Sequence, residues 1–457
     1  MVVTSLSPSS TRQFRAFQQQ RSATRMVTKP ASGLLPNILW TLLDRAGRLL
    51  IAFSTGVIIA RLLAPELYGT LSFANALVGV MSFLNLSAIE AIVVMRLAKE
   101  PESRGEILGS ALLLRLLGGT ATVLAVIAVT PLLGEQPPIV SIIAPILAIA
   151  TLFNAMDVGD YWLRQILASR YSVIARQSAL LLGAGGRIWA AGSDSPLLAL
   201  AAVTAIEALL VAAGLAFSLH RLQVPPWKWQ PKWKRCRQIF RAALPMLLAA
   251  AAVGVYARMG VIILGESHGP EAVGLFSVAT ILAEATHALP VAIMASVAPI
   301  LLANHHDSQN HFHEHFTLWL RRLTWLGLSV CLLLFLTAPM LLSLLFGSRY
   351  DQSVAIFEIL IWSAPFVFIS VTSEVWIVGH NLQRYQLPKT VLAAAVSITL
   401  NLMLAPTLGA KGTAIATVIS YSVSALWANA LFHNTRPLFR LQLLALFPAS
   451  FTKREKY

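Results

Sequence analysis

Four arginines, Arg45, Arg48, Arg115 and Arg258, stand inside long apolar stretches of the chain. A charge in such a position costs about 2.5–3.5 kcal/mol on insertion scales, so it calls for a functional or structural partner. A guanidinium presents a planar fork of donors that can grip an anionic oxygen pair bidentately. Several of them in apolar surroundings therefore suit an anionic ligand. Asp44 and Arg48 are spaced i,i+4 and can pair, while Arg45 and Arg48 share a helix face at i,i+3. The plainer account of this group is a snorkelling pair that sets helix depth. Arg258 lies about 16 residues into its stretch, roughly 24 Å along a helix, too deep to reach the near interface although the far one is within reach. Arg115 suits a ligand or a structural ion pair equally.

Acids and histidines complete the chemistry-bearing set. Glu284 and His287, at i,i+3, could bind a proton or a sodium ion. Glu90, Glu207, Glu358 and Glu374 are alternatives, each of which can instead pair with an arginine of a neighbouring helix. Asp157, Asp160 and Arg164 crowd the end of one stretch and read as a gate or interface pair. The run His305, His306, Asp307, His311, His313 and His315 suggests metal, yet a headgroup contact is the plainer reading. Gly183-Ala184-Gly185-Gly186 lacks the strand context and the Lys-Ser/Thr of a phosphate loop. Small-residue helix packing explains it better. With no nucleotide motif, no ATP-driven step and no cofactor are expected.

The elements that position these residues follow from composition. The chain is 56% hydrophobic and 12% charged, with a mean hydropathy of +0.69. A soluble protein of this length carries about 25% charged residues. Half that level cannot cover a water-facing surface, and in hydrocarbon only helices or closed barrels satisfy their own backbone. Apolar runs near twenty residues without strict alternation select helices. They lie near 38–60, 69–94, 107–130, 139–158, 173–192, 197–219, 242–264, 273–303, 323–346, 353–378, 388–408 and 412–433. The expected fold class is thus an all-α polytopic membrane protein of about twelve transmembrane helices. Two cysteines, Cys236 and Cys331, give no disulfide framework.

Lysine and arginine counts in alternate loops split 27 to 4, which places both termini on the cytoplasmic side. The sparse set is Arg61, Arg187, Arg349 and Lys411. Outer loops are short, which leaves no room for a soluble catalytic domain and argues against an enzyme. Pro65-Glu66-Leu67-Tyr68-Gly69-Thr70-Leu71-Ser72-Phe73-Ala74 recurs as Pro270-Glu271-Ala272-Val273-Gly274-Leu275-Phe276-Ser277-Val278-Ala279, offset by 205 residues. The offset spans six segments, so the halves are parallel repeats about an axis along the membrane normal. The expected organisation is a basic tail (1–37), a six-helix lobe (38–220), a basic Trp-rich linker (221–241), a second six-helix lobe (242–434) and a cytoplasmic tail (435–457), with a central cavity between the lobes. The first tail reads as a disordered cytoplasmic extension rather than a transit peptide. In the linker, Trp227, Trp229 and Trp233 interleave with Lys228, Lys232 and Lys234. That pattern suits membrane lipids better than nucleic acid.

The stretch Gly56 to Gly69, with Glu271 to Ala279, Leu345 to Tyr350 and Pro406 to Thr417, resembles the bacterial polysaccharide flippases that translocate O-antigen and exopolysaccharide precursors. These are relatives of the multidrug and toxin extrusion transporters, and the resemblance covers about 38 to 434. It implies a multi-pass protein of the bacterial inner membrane. The substrate implied is an undecaprenyl-pyrophosphate-linked oligosaccharide, moved by alternating access during surface polysaccharide (including lipopolysaccharide) biosynthesis. A polysaccharide polymerase and a chain-length regulator are the implied protein partners. The rival on the same fold is a cation-coupled exporter of drugs or metabolites, for which an acidic, aromatic cavity would be expected.

Overall fold

The computed structural model describes residues 34–134, 137–307 and 309–447, and the side chains of all these except 34–46 and 303–311. Among the described residues every regular element is helical. The first half contains α1 (Leu34–Leu62), α2 (Pro65–Met81), α3 (Glu90–Lys99), α4 (Arg104–Val129), α5 (Val140–Phe153), α6 (Asp157–Gln165), α7 (Ser169–Ala191) and α8 (Pro196–Arg221). The second contains α9 (Trp233–Ala285), α10 (Ala288–Asp307), α11 (Gln309–Phe346), α12 (Ser353–Leu360), α13 (Ser363–Gly379), α14 (Gln386–Ser422), α15 (Ala428–Leu431) and α16 (Arg436–Ala445).

Eight continuous helical stretches among the described residues are long and apolar enough to cross a membrane. Trp233–Leu302 holds two of the expected segments and Gln383–Leu431 another two, because the chain turns there without leaving a loop. The turns are made by Gly269 (φ 74°, ψ −177°) and Gly409 (φ 57°, ψ −137°), in a backbone region that only glycine enters cheaply. Pro270 then opens the second half of α9, where its missing N–H costs nothing. Ten of the expected segments lie in the eight stretches. The first and fifth are helical as α1 and α7 but fall outside them.

In lipid no hydrophobic force drives helices together, so close approach of small residues must hold the bundle. The repeat does this. A methyl built at Gly69 would overlap the Pro270 carbonyl, and one at Gly274 the Pro65 carbonyl. The two Pro-Glu-x-x-Gly turns therefore cross each other backbone to backbone. Nearby, the Tyr350 hydroxyl donates to the Ala60 carbonyl at 2.8 Å, and the Arg61 Nη1 donates to the Leu344 carbonyl at 3.1 Å. This end of the bundle, the turn end, is sealed.

Core packing shows the division of the opposite end. One cluster at the turn end mixes the halves, with Val57, Phe73, Leu77 and Ile143 beside Val261, Val273, Phe357 and Ala414. At the linker end there are two separate clusters. One joins Ile107, Tyr161 and Leu219 to Cys236, Ile239, Ala243 and Leu247. The other joins Met294, Phe316 and Trp376 to Leu438 of α16. The molecule is thus two lobes fused at the turn end and split at the linker end. The start of α9, which covers the end of the expected linker and the first residues of the expected second lobe, packs with the first lobe.

The linker is strapped to that first lobe. The Gln230 amide donates to the Gly105 carbonyl at 3.2 Å, Arg235 pairs with Glu100 at 2.7 Å, and Lys232 pairs with Glu106. A side chain on Gly109 would begin only 2.8 Å from the Pro231 backbone.

Candidate functional site

Arg258 sits 11 residues from the Gly269 turn, about 16 Å along α9 and hence near mid-bilayer. Its side chain is exposed and lies against α2, with Cγ 3.4 Å from where a Gly79 side chain would begin. Gly254, one turn earlier, approaches the Gly79 carbonyl. α2 and α9 therefore stay in contact from the turn end down to mid-membrane, where Arg258 stands. Among the described residues no carboxylate lies within 4 Å of its guanidinium.

A narrow recess of about 40 Å³ opens beside it, lined by Tyr256, Arg258, Glu284, His287, Ser420 and Tyr421 among others. Glu284 is exposed toward it. The His287 Nε2 is buried without a hydrogen-bond partner among the described residues, and its ring meets Tyr421 edge-on at 5.8 Å. Tyr256 meets the other side of Tyr421 at the same centroid distance. The two tyrosines escape a reading based on charge, and only their spacing from Arg258 and from the second Gly-turn could have flagged them. The recess has room for a small ion or one or two waters, not for a sugar. The structure thus brings Arg258, Glu284 and His287 together.

Arg115 is placed elsewhere. It is 3% exposed, donates through Nη1 to the Tyr161 hydroxyl at 2.7 Å and lies 3.8 Å from Asp157. Asp157 also meets Arg176 at 2.7 Å, and Asp160 meets Arg164 at 2.5 Å and Arg176 at 3.2 Å. Arg164 continues to Glu90 at 2.7 Å. Three arginines and three carboxylates from α3, α4, α6 and α7 thus neutralise each other inside the first lobe. Of the two readings left open for Arg115, ligand or ion pair, the geometry here is that of an ion pair within the first lobe. Arg176 is the member that the sequence reading missed.

Arg48 is half-buried and engaged, next to Gly47, whose missing side chain makes room for Gln177 of α7. Eight residues on, Gly56 faces Ile281 across the lobes at 3.7 Å, so α1 borders the cleft opposite the helix that carries Glu284. The side chains of Asp44 and Arg45 lie outside the described residues, as do those of His305, His306, Asp307 and His311. Glu207 pairs with Arg187 at 2.9 Å. Among the described residues no three His, Cys, Asp or Glu side chains converge on a point where a metal could sit.

A sequence model of a family described as polysaccharide biosynthesis protein matches residues 58–355. The chain is 24% identical over 215 residues to the probable lipid II flippase MurJ of Thermotoga maritima, covering 46% of this chain and 44% of that protein. It therefore spans less than half the length of that curated relative. Among solved structures, lipid II flippase MurJ in an inward closed conformation matches with a TM-score of 0.69 at 14% identity, over 90% of this chain and 91% of that one. An inward-facing multidrug resistance MATE family transporter of the MOP superfamily matches at 0.68 and 15% identity, over 90% and 100%. At such identities the likeness shows the fold, which is that of these two-lobed transporters. The matched proteins are transporters and flippases rather than enzymes.

Proposed function

The chain belongs to the polysaccharide biosynthesis protein family, and from that premise we propose that it flips an undecaprenyl-pyrophosphate-linked oligosaccharide from the cytoplasmic to the periplasmic leaflet of a bacterial inner membrane. The observation that carries this reading is the exposed guanidinium of Arg258 at mid-bilayer, with no carboxylate within 4 Å of it among the described residues. A diphosphate cannot enter hydrocarbon alone, and a fixed guanidinium supplies both counter-charge and paired donors there.

The charge asymmetry of the loops supports a cytoplasmic linker end and cytoplasmic termini. The open side of the cleft then faces the compartment where the lipid-linked unit is made. The head enters between the lobes and meets Arg258, with Arg48 on α1 along its route and Arg45 kept as a further candidate contact. The lipid tail stays in the bilayer. Release on the far side requires the crossing of Pro65 to Gly69 with Pro270 to Gly274 to part and the linker end to close. Glu284 and His287 are the groups proposed to take up a proton or sodium ion that biases this exchange, since the recess fits an ion. The network of Asp157, Asp160 and Arg164 braces the first lobe as it moves. The lobes are proposed as 38–220 and 242–434, with the linker 221–241 between them. A polymerase and a chain-length regulator would receive the flipped unit.

The test is deletion in the native host with complementation. Loss of surface polysaccharide, with lipid-linked units retained on the cytoplasmic face, is the expected result. Unchanged polysaccharide together with altered drug tolerance would transfer the protein to the exporter class.

A further inference from the structure

The segment of α14 after Gly409 has two working faces. Thr417, Ser420 and Tyr421 line the cleft recess, whereas Ile415, Val418 and Ile419 line a separate groove of about 500 Å³. At 3.6 residues per turn these sets lie on opposite sides of one helix. The α12 region divides similarly, with Leu360 toward the recess and Glu358, Ile359 and Trp362 toward the groove. Phe335 of α11 helps to close the groove. A groove on the reverse side of the cleft in a membrane-embedded bundle opens to lipid, and its volume lies within the usual range of ligand pockets, ~300–1,000 Å³.

Two charges of opposite sign break its apolar lining. Lys411 is exposed and follows the Gly409 turn, which packs on His268 beside the Gly269 turn. It therefore stands at the turn-end rim. Glu358 is half-buried, five residues beyond Ser353, whose hydroxyl donates to the Leu275 carbonyl at 2.9 Å. That places it about 8 Å farther from the turn end than Ser353. Neither residue has an ion-pair partner within 4 Å among the described residues. A lysine alone could snorkel to the interface. A lipid-facing carboxylate below it has no such outlet and needs a cation.

We propose that this groove is a binding site for an aminophospholipid of the phosphatidylethanolamine type. Its phosphate meets Lys411, its primary ammonium meets Glu358, and an acyl chain runs along Ile359, Trp362, Ile415 and Ile419. The charge pair selects against headgroups that lack either a phosphate or a donor-bearing cation. The assignment does not depend on what crosses the cleft, and its test reads lipid retention rather than transport.

Native mass spectrometry of the full chain in detergent, titrated with phosphatidylethanolamine, phosphatidylcholine and phosphatidylglycerol of matched chains, gives the measurement. Phosphatidylethanolamine should be retained about tenfold better than the other two, as expected for charge-assisted hydrogen bonds. Glu358→Gln should abolish the preference, and Lys411→Met should weaken it. Phosphatidylethanolamine with brominated chains should quench the fluorescence of Trp362, read as the difference from Trp362→Phe. Equal retention of the three lipids, or a preference that survives Glu358→Gln, would overturn the site. If Glu358→Gln fails to fold, absence of bromolipid quenching at Trp362 in the otherwise native chain overturns it equally.

Discussion

At Arg115 the counter-charge is built in. The guanidinium is buried against Tyr161 and Asp157, and removing one member of such a set strands the rest. Arg115→Ala should therefore cost about 3–5 kcal/mol of stability, visible as a lowered unfolding temperature in detergent, with export falling only as the folded fraction falls. Arg258 has the reverse profile. It is exposed, and no carboxylate lies within 4 Å of it among the described residues. Arg258→Ala should leave the unfolding temperature unchanged while export per folded molecule drops at least about tenfold, the scale of one charge-assisted contact. Arg258→Lys should recover part of the loss, since it keeps the charge but not the fork. Both arginines looked alike in the sequence, because each is one charge in an apolar run. What separates them is Asp157, 42 residues from Arg115 and on another helix, and no local pattern announces that pairing.

Helices and their turns were more legible. Apolar length marks each segment, and the repeated Pro-Glu-x-x-Gly marks equivalent turns. The two glycines of that motif have a role beyond turning, since each lacks the atom that would strike the other copy's backbone. Gly69→Val or Gly274→Val should force the turn ends apart, and spin-label distances across them should lengthen. Gly185→Val, in a position with open space around it, should leave those distances unchanged. Less legible was the allegiance of α9. The expected organisation puts Cys236 and Ile239 in the linker and Ala243 and Leu247 in the second lobe, whereas all four pack into the first. That outcome follows from the strap of Arg235 and Lys232 onto Glu100 and Glu106, contacts made across more than 120 residues of chain. Gly109→Val should lift the linker off α4 and increase its proteolysis without unfolding the bundle.

For the whole molecule, one fused core at the turn end and two separate cores at the linker end make a hinged pair of lobes. Alternating access requires that fusion to break. Both native cysteines are buried, so a short thiol cross-linker between Gly56→Cys and Ile281→Cys, which face each other across the lobes, should halt transport until it is cleaved. The proposed transport cycle depends on a guanidinium at mid-bilayer that holds a phosphorylated lipid head. Direct binding tests it most closely. Purified protein should retain an undecaprenyl-pyrophosphate-linked sugar and not undecaprenol, and Arg258→Ala should weaken that retention about tenfold. Equal retention of both lipids, or retention indifferent to Arg258, would contradict the account.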